Sequence, residues 1–342
     1  MNIPFDLHVV WYGLVGILLT GYAILDGFDL GVGALHLFTK KDEHRRLMLN
    51  SIGPVWDGNE VWLVTGGGAL FAAFPEVYAT VFSGFYNAFI LLLFALIFRA
   101  VAIEFRSKQT MLWWRRMWDV SFSIASILAS FLMGVAFGNV VWGIPLDAQH
   151  EYAGTFLGLL NPFALLVGVT TVALFMMHGA IYVVLKTEGE LHDLMRSWVN
   201  NAIIFFVICY ATTTMATLLY LPHMADFFRE FPVLFVVPLG TMLAIANIPR
   251  EIHRGRDFLG FLSSCAAIAG LMLLVAIGMF PNLVLARPDP SLSLTIYNAA
   301  SSPKTLKIML IIAAIGVPLV LAYTTSIYYI FRGKTKLDPM SY

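Results

Sequence analysis

Long apolar runs separated by short polar breaks organise the whole chain. A helix needs about 20 apolar residues to cross the hydrocarbon core of a bilayer. The runs predict nine such helices, near 9–37, 54–74, 77–103, 119–142, 158–185, 198–220, 232–249, 257–280 and 306–331. Only Phe74-Pro75-Glu76 separates the second run from the third. Proline followed by a carboxylate reads as a tight turn at a membrane face, so the two runs count as separate helices. The break near 281–305 holds prolines and serines and reads as an ordered loop, and no break is long enough to house a soluble catalytic domain.

Composition makes lipid the solvent. Of 342 residues, 59% are hydrophobic and 12% charged, the latter about half the usual share of a soluble protein. Mean hydropathy is +0.79. A water-soluble surface would need more polar residues than the chain supplies. Basic and acidic residues balance at 21 each, which argues against nucleic acid as a partner. Cys209 and Cys265 lie inside apolar runs and form no disulfide framework, and no Cys-x-x-Cys-His haem attachment occurs. Met1 to His8 lacks basic residues and no small-residue cleavage site follows the first run, so that run is expected to be a retained span.

Charge distribution then predicts direction. Loops after odd-numbered runs, with the C-terminal tail, hold sixteen of the 21 Lys and Arg residues. The opposite side holds four (Arg229, Arg287, Lys304 and Lys307), and Arg99 falls inside the third run. The positive-inside rule puts the N-terminus outside and the C-terminus in the cytoplasm. A weak parallel repeat, Leu14-Val15-Gly16 with Gly27 against Leu166-Val167-Gly168 with Gly179, would set helices one to four against five to eight. Short apolar matches arise by chance, so little rests on it.

The remaining charges sit where lipid makes them costly. Asp26 and Asp29 lie in the cytoplasmic half of the first run, Asp57 and Glu60 in the first turns of the second. Arg99 lies about a turn from the cytoplasmic end of the third, followed by Glu104, and Asp119 opens the fourth. With alternating directions, all seven reach a similar depth. Asp26 and Asp29 are spaced i, i+3, as are Asp57 and Glu60, so each pair shares a helix face. An Arg–Asp pair at ~4 Å recovers on the order of 4 kcal/mol at an effective dielectric near 20. That offsets an insertion cost of roughly 2.5–3.5 kcal/mol per charge for one pair. Arg99 cannot neutralise all four carboxylates, so some are expected to carry a proton, as proton uptake from the cytoplasm requires. The plainer reading is wet helix ends, which suits Glu60, Glu104 and Asp119 as well and Asp26 least.

Gly27-x-x-x-Gly31 with Gly33, and Gly66-Gly67-Gly68, mark close helix packing beside these charges. The triple glycine lacks the Lys-Ser/Thr of a phosphate loop. Trp56 and Trp62 flank Asp57 as interface anchors or as shields of a buried carboxylate. Of eight histidines only His178 is clearly interior, with His36 near a helix end. One interior histidine more often hydrogen-bonds than ligates, so no haem and no metal centre is expected on this chain.

Several runs together resemble one family. Gly21-Tyr22-Ala23-Ile24-Leu25-Asp26-Gly27-Phe28-Asp29-Leu30-Gly31-Val32-Gly33 and Asn50-Ser51-Ile52-Gly53-Pro54-Val55-Trp56-Asp57-Gly58-Asn59-Glu60-Val61-Trp62 closely resemble subunit II of the cytochrome bd quinol oxidases. So do Arg106-Ser107-Lys108, Met117-Trp118-Asp119, Gly134-Val135-Ala136-Phe137-Gly138-Asn139 and Asn298-Ala299-Ala300-Ser301-Ser302. The likeness spans residues of about 15 to 325. It implies an all-α integral membrane protein of nine transmembrane helices, two four-helix bundles plus one peripheral helix, in the cytoplasmic (inner) membrane of a bacterium. It implies a partner, subunit I, that carries haems b558, b595 and d and oxidises quinol, in an electrogenic quinol:dioxygen oxidoreductase to which this chain adds no catalytic centre. It leaves room for a bound quinone and a small single-helix subunit. The family's proton route includes the aspartate of Trp-Asp-Gly-Asn, here Asp57, while Asp26, Asp29 and Arg99 match other charged family positions. Glu60 stands where members often carry glutamine, so no role transfers to it.

A proton-coupled secondary transporter is the alternative that intramembrane carboxylates raise. Transporters usually bind substrate at mid-membrane on broken helices built from inverted repeats. Here the charges lie toward one side and the weak repeat is parallel, which favours the oxidase subunit.

Overall fold

In the computed structural model, which describes residues 6–337, twelve α-helices account for most of the chain. They are α1 (Leu7–His36), α2 (Asp42–Ile52), α3 (Trp56–Ala73), α4 (Pro75–Gly84), α5 (Tyr86–Phe105) and α6 (Leu112–Trp142). There follow α7 (Pro162–Lys186), α8 (Gly189–Tyr220), α9 (Asp226–Glu230), α10 (Val236–His253), α11 (Asp257–Met279) and α12 (Pro303–Ile330). Local chemistry sets several starts. Asp6 caps α1, while Asn161 and Ser302 cap α7 and α12, each followed by proline at the first helical position, where its missing N–H is not needed. Met1–Phe5 of the N-terminal stretch lie outside the described residues.

Eight helices among the described residues are long and apolar enough to cross a membrane: α1, α5, α6, α7, α8, α10, α11 and α12. The 18-residue α3 is not one of them. Asp57, Asn59 and Glu60 in its opening turns and three glycines at its centre dilute its apolarity.

Several expected boundaries shift. The second and third runs do part at Phe74, but the third, expected unbroken over 77–103, divides into α4 and α5 at Phe85 (φ −101°, ψ 20°). Beside the break a Cβ on Gly84 would lie 2.6 Å from the Tyr152 Cβ, so the missing side chain lets Tyr152 pack against the helix. The fourth helix starts at Leu112, and the sixth at Gly189. Charged residues, Arg115 and Arg116 in α6 and Glu190, His192, Asp193 and Arg196 in α8, interrupt their first turns, so an apolar-run reading trims them. The amphipathic α2 was hidden for the same reason, although Met48, Leu49 and Ile52 on its inner face are buried. The 281–305 loop is not wholly irregular. It forms a short antiparallel pair, β1 (Asn282–Val284) with β2 (Leu294–Thr295).

Helices α1, α3, α5 and α6 pack as one group and α7, α8, α10 and α11 as another, joined mainly through α7, which packs against both α6 and α1. The α1–α7 crossing is a backbone contact. A Cβ on Gly31 would overlap the Phe175 carbonyl, and one on Gly179 would lie 2.5 Å from the Gly31 carbonyl carbon. Small residues therefore decide how closely the two groups approach. Helix α12 lies outside, against α1 and α3, with Leu306 its one buried residue. Consecutive long helices alternate in direction. At one end Trp11 Nε1 donates to Leu306 O at 3.0 Å and Tyr12 Oη to Ala276 O at 2.7 Å. At the other, Arg196 Nη2 donates to Ile252 O at 2.6 Å and Lys186 Nζ to Gly333 O at 2.7 Å.

Candidate functional site

The seven charges read as one layer fall into two clusters, with Asp57 in neither. The first joins α1, α3 and α5. Asp26 and Arg99, both fully buried, form a two-armed ion pair, Nη2–Oδ1 at 2.5 Å and Nη1–Oδ2 at 2.9 Å. Arg99 Nη1 also lies 3.3 Å from Glu60 Oε1, whose side chain is 25% exposed. Asp29 is fully buried too and turns to a different partner. Its Oδ2 accepts a 2.8 Å hydrogen bond from Asn59 Nδ2, and Asn59 Oδ1 accepts one of 2.9 Å from the Tyr328 hydroxyl of α12. The peripheral helix is thus tied to the cluster through an asparagine.

Two carboxyl groups here share one guanidinium, and a third, Asp29, is buried beside them with only an amide for a partner. Four polar atoms around them, Tyr22 Oη, Asp29 Oδ1, Glu60 Oε1 and Arg99 Nε, are buried without a hydrogen-bond partner in the protein. Buried polar atoms left unpaired are costly, and internal water is the ordinary remedy where space allows.

Asp57 departs from the expected arrangement. The i, i+3 spacing puts it on Glu60's side of α3, yet Glu60 reaches Arg99 while Asp57 is exposed. Trp56 is buried in the main core and Trp62 packs its ring against Gly21, so neither tryptophan encloses Asp57.

The second cluster closes the end where α1, α5 and α6 meet α2. Asp119 lies in the second turn of α6, not at its start, and is buried. Its Oδ1 is 2.6 Å from His36 Nε2 and 2.5 Å from Arg106 Nε, and its Oδ2 is 2.9 Å from Arg45 Nη1. Arg106 also reaches Asp42 Oδ1 at 2.6 Å, and Arg115 Nη1 lies 3.2 Å from Asp42 Oδ2. Arg45, Arg106 and Arg115 count among loop cations by sequence, yet Arg106 is only 1% exposed. Position in a hydropathy profile carries no sign of that burial; the Arg106-Ser107-Lys108 motif is its one trace. Glu104, half-buried on α5, is engaged as well.

The two fully buried histidines are engaged within the protein. His178 has both nitrogens engaged, Nδ1 with Ser264 Oγ at 2.8 Å and Nε2 with Ile24 O at 2.9 Å, and its ring stacks on Phe261 at 5.1 Å. His36 holds Asp119. No three His, Cys, Asp or Glu side chains among the described residues converge on a metal position.

Long apolar helices that enclose paired charges and turn many large hydrophobic side chains outward define a multi-pass integral membrane protein. The chain belongs to the cytochrome bd terminal oxidase subunit II family, whose model matches residues 7–331. It is 38% identical to cytochrome bd-I ubiquinol oxidase subunit 2 of Escherichia coli (97% of this chain, 96% of the relative). It is 35% identical to cytochrome bd ubiquinol oxidase subunit 2 of Bacillus subtilis (98% and 99%). The fold resembles a chain of the bd oxidase from Geobacillus thermodenitrificans, with TM-score 0.78 at 17% identity over 95% of this chain and 98% of that one.

Proposed function

We propose that this chain is the haem-free subunit II of a quinol:dioxygen oxidoreductase in the cytoplasmic membrane of a bacterium, and that it helps to bring cytoplasmic protons to the oxygen-reducing centre. The haems b558, b595 and d then sit on the partner, subunit I, a division that the engaged nitrogens of His178 support. Nine spans follow if α3 is counted with the eight strongly apolar helices. The N-terminus is outside and the C-terminus cytoplasmic, because sixteen of 21 basic residues lie on the latter side.

One observation carries the proton role: a surplus of carboxyl groups around Arg99, with four buried polar atoms left for water to satisfy. Asp57, exposed on α3, is the entry carboxylate facing the partner. Glu60, one turn further along and part-exposed, links it to the Arg99–Asp26 pair. Asp29, Asn59 and Tyr328 hold the inner wall. Family membership and the one-sided charges favour this reading over a proton-coupled transporter.

Asp57→Asn in the assembled complex tests it. Oxygen uptake is expected to fall on the order of tenfold, equivalent to about 1.4 kcal/mol of barrier, with haem spectra and yield unchanged. Unaltered turnover would leave Asp57 a structural residue.

A further inference from the structure

Arg287 lies at the opposite end of the molecule from both clusters and is fixed on three sides. Its backbone N donates to Ile144 O at 2.9 Å, while Ile144 N donates to Leu285 O at 2.9 Å. Its side-chain stem lies across Gly143, where a Cβ would come within 2.9 Å of Arg287 Cγ. Gly143 has φ +94°, a conformation that glycine alone adopts without strain. The guanidinium carbon sits 4.3 Å from the Trp142 ring centroid, and Trp142 stacks on Phe163 at 5.4 Å.

A cation held so firmly ordinarily has an anion to meet. Among the described residues Arg287 has no carboxylate partner and its guanidinium makes no hydrogen bond, in contrast to Arg229, which pairs with Asp226 at 3.2 Å. Burial alone holds Arg287 below the ordinary arginine value. Nearby His223 is lowered by burial and then by the Arg287 charge, and its Nε2 is buried without a partner. Beside Arg287 opens a cavity of about 360 Å³, also lined by Trp142, Asn139 and Asn161. The two asparagines are spent on each other, Asn161 Nδ2 donating to Asn139 Oδ1 at 2.9 Å, and on backbone groups. Arg287 is the polar group left to face a ligand.

Depth and surroundings narrow the ligand. The cavity lies where α6 ends and α7 begins, the level of lipid headgroups, with a tryptophan of the kind that anchors there. Along the same two helices, Phe137, Val140 and Val167 line an apolar groove of about 1330 Å³. We propose that Arg287, braced by Gly143 and Trp142, binds the phosphodiester of a membrane glycerophospholipid whose acyl chains lie in this groove. A guanidinium fork matches two phosphate oxygens, and the groove accepts hydrocarbon.

Native mass spectrometry of the complex, purified in mild detergent and graded through delipidation, reads this directly. Wild type and an Arg229→Gln control are expected to keep one tightly bound phospholipid. Arg287→Gln should lose it and rebind added phosphatidylglycerol at least tenfold more weakly, with Arg287→Lys intermediate. If Arg287→Gln fails to assemble, Trp142→Leu, which keeps the charge but removes its platform, should weaken rebinding in the same assay. Inorganic phosphate, titrated without lipid, separates the two sources of the anion: phosphate retained in place of phospholipid overturns the lipid assignment. Equal lipid retention by wild type and Arg287→Gln overturns the site itself.

Discussion

Two clusters of buried charge, both on the α1–α5–α6 side of the molecule, are built to opposite balances. Around Arg99, two carboxyl groups meet one guanidinium with a third, Asp29, buried beside them, and four buried polar atoms make no hydrogen bond within the protein. Around Asp119, one buried carboxylate meets Arg45, Arg106 and His36, with Asp42 and Arg115 extending the network outward. The second resembles a rivet: its carboxylate oxygens are fully occupied, and it fastens α2 and three helix ends. The first is under-compensated, an arrangement that is wasteful for stability and useful for holding and passing protons. Proximity of charges to a membrane face therefore says little about role. Each cluster leaves buried polar atoms without a hydrogen bond, His36 Nδ1 and Arg106 Nη1 in the second, so what separates a fastener from a relay is the balance of carboxyl groups to cations.

Four substitutions would break or sharpen this contrast. The largest effect is expected for Arg99→Leu, which strands Asp26 without a counter-charge. Removing one partner of a buried pair costs roughly 3–5 kcal/mol, so little assembled complex should survive gel filtration in detergent. Next comes Asp119→Asn, which leaves Arg106 and Arg45 facing a neutral amide. A destabilisation of about 2–3 kcal/mol is expected, read as a lowered Tm. Tyr328→Phe removes a single hydrogen bond between α12 and Asn59 and should cost about 1 kcal/mol. The smallest change in stability belongs to Asp29→Asn, within about 0.5 kcal/mol of wild type, because an amide oxygen still accepts from Asn59 while a surplus charge disappears. If Asp29→Asn destabilised as much as Asp119→Asn, the two clusters would be of one kind.

Hydropathy made α1, α7 and α12 legible to within four residues at each end, because an apolar stretch bounded by polar caps states its own length. It fared worse at α2 and at the starts of α6 and α8, where helix continues through charged residues. It also missed the break at Phe85, beside which Gly84 packs against Tyr152, a residue distant in sequence. The candidate site divides in the same way. Asp26 and Arg99 stood out as charges inside apolar runs and do pair. Asn59, Tyr328, His36 and Arg106 gave no such signal, being uncharged or close to a polar break.

The sequence by itself determined that this chain lives in lipid, where most of its long apolar helices lie, which loops collect the basic residues, and which family it joins. These are properties of composition and local order, summed along one dimension. Tertiary structure alone decided that Asp26 and Asp29, three residues apart, take different partners, that Asp57 stays outside while Glu60 turns inward, and that Arg106 is a buried anchor. Those outcomes depend on how closely α1 approaches α7 at Gly31 and on which face each helix shows its neighbours. A charge inside a membrane protein is defined by what lies across the helix gap, and spacing along the chain does not record that distance.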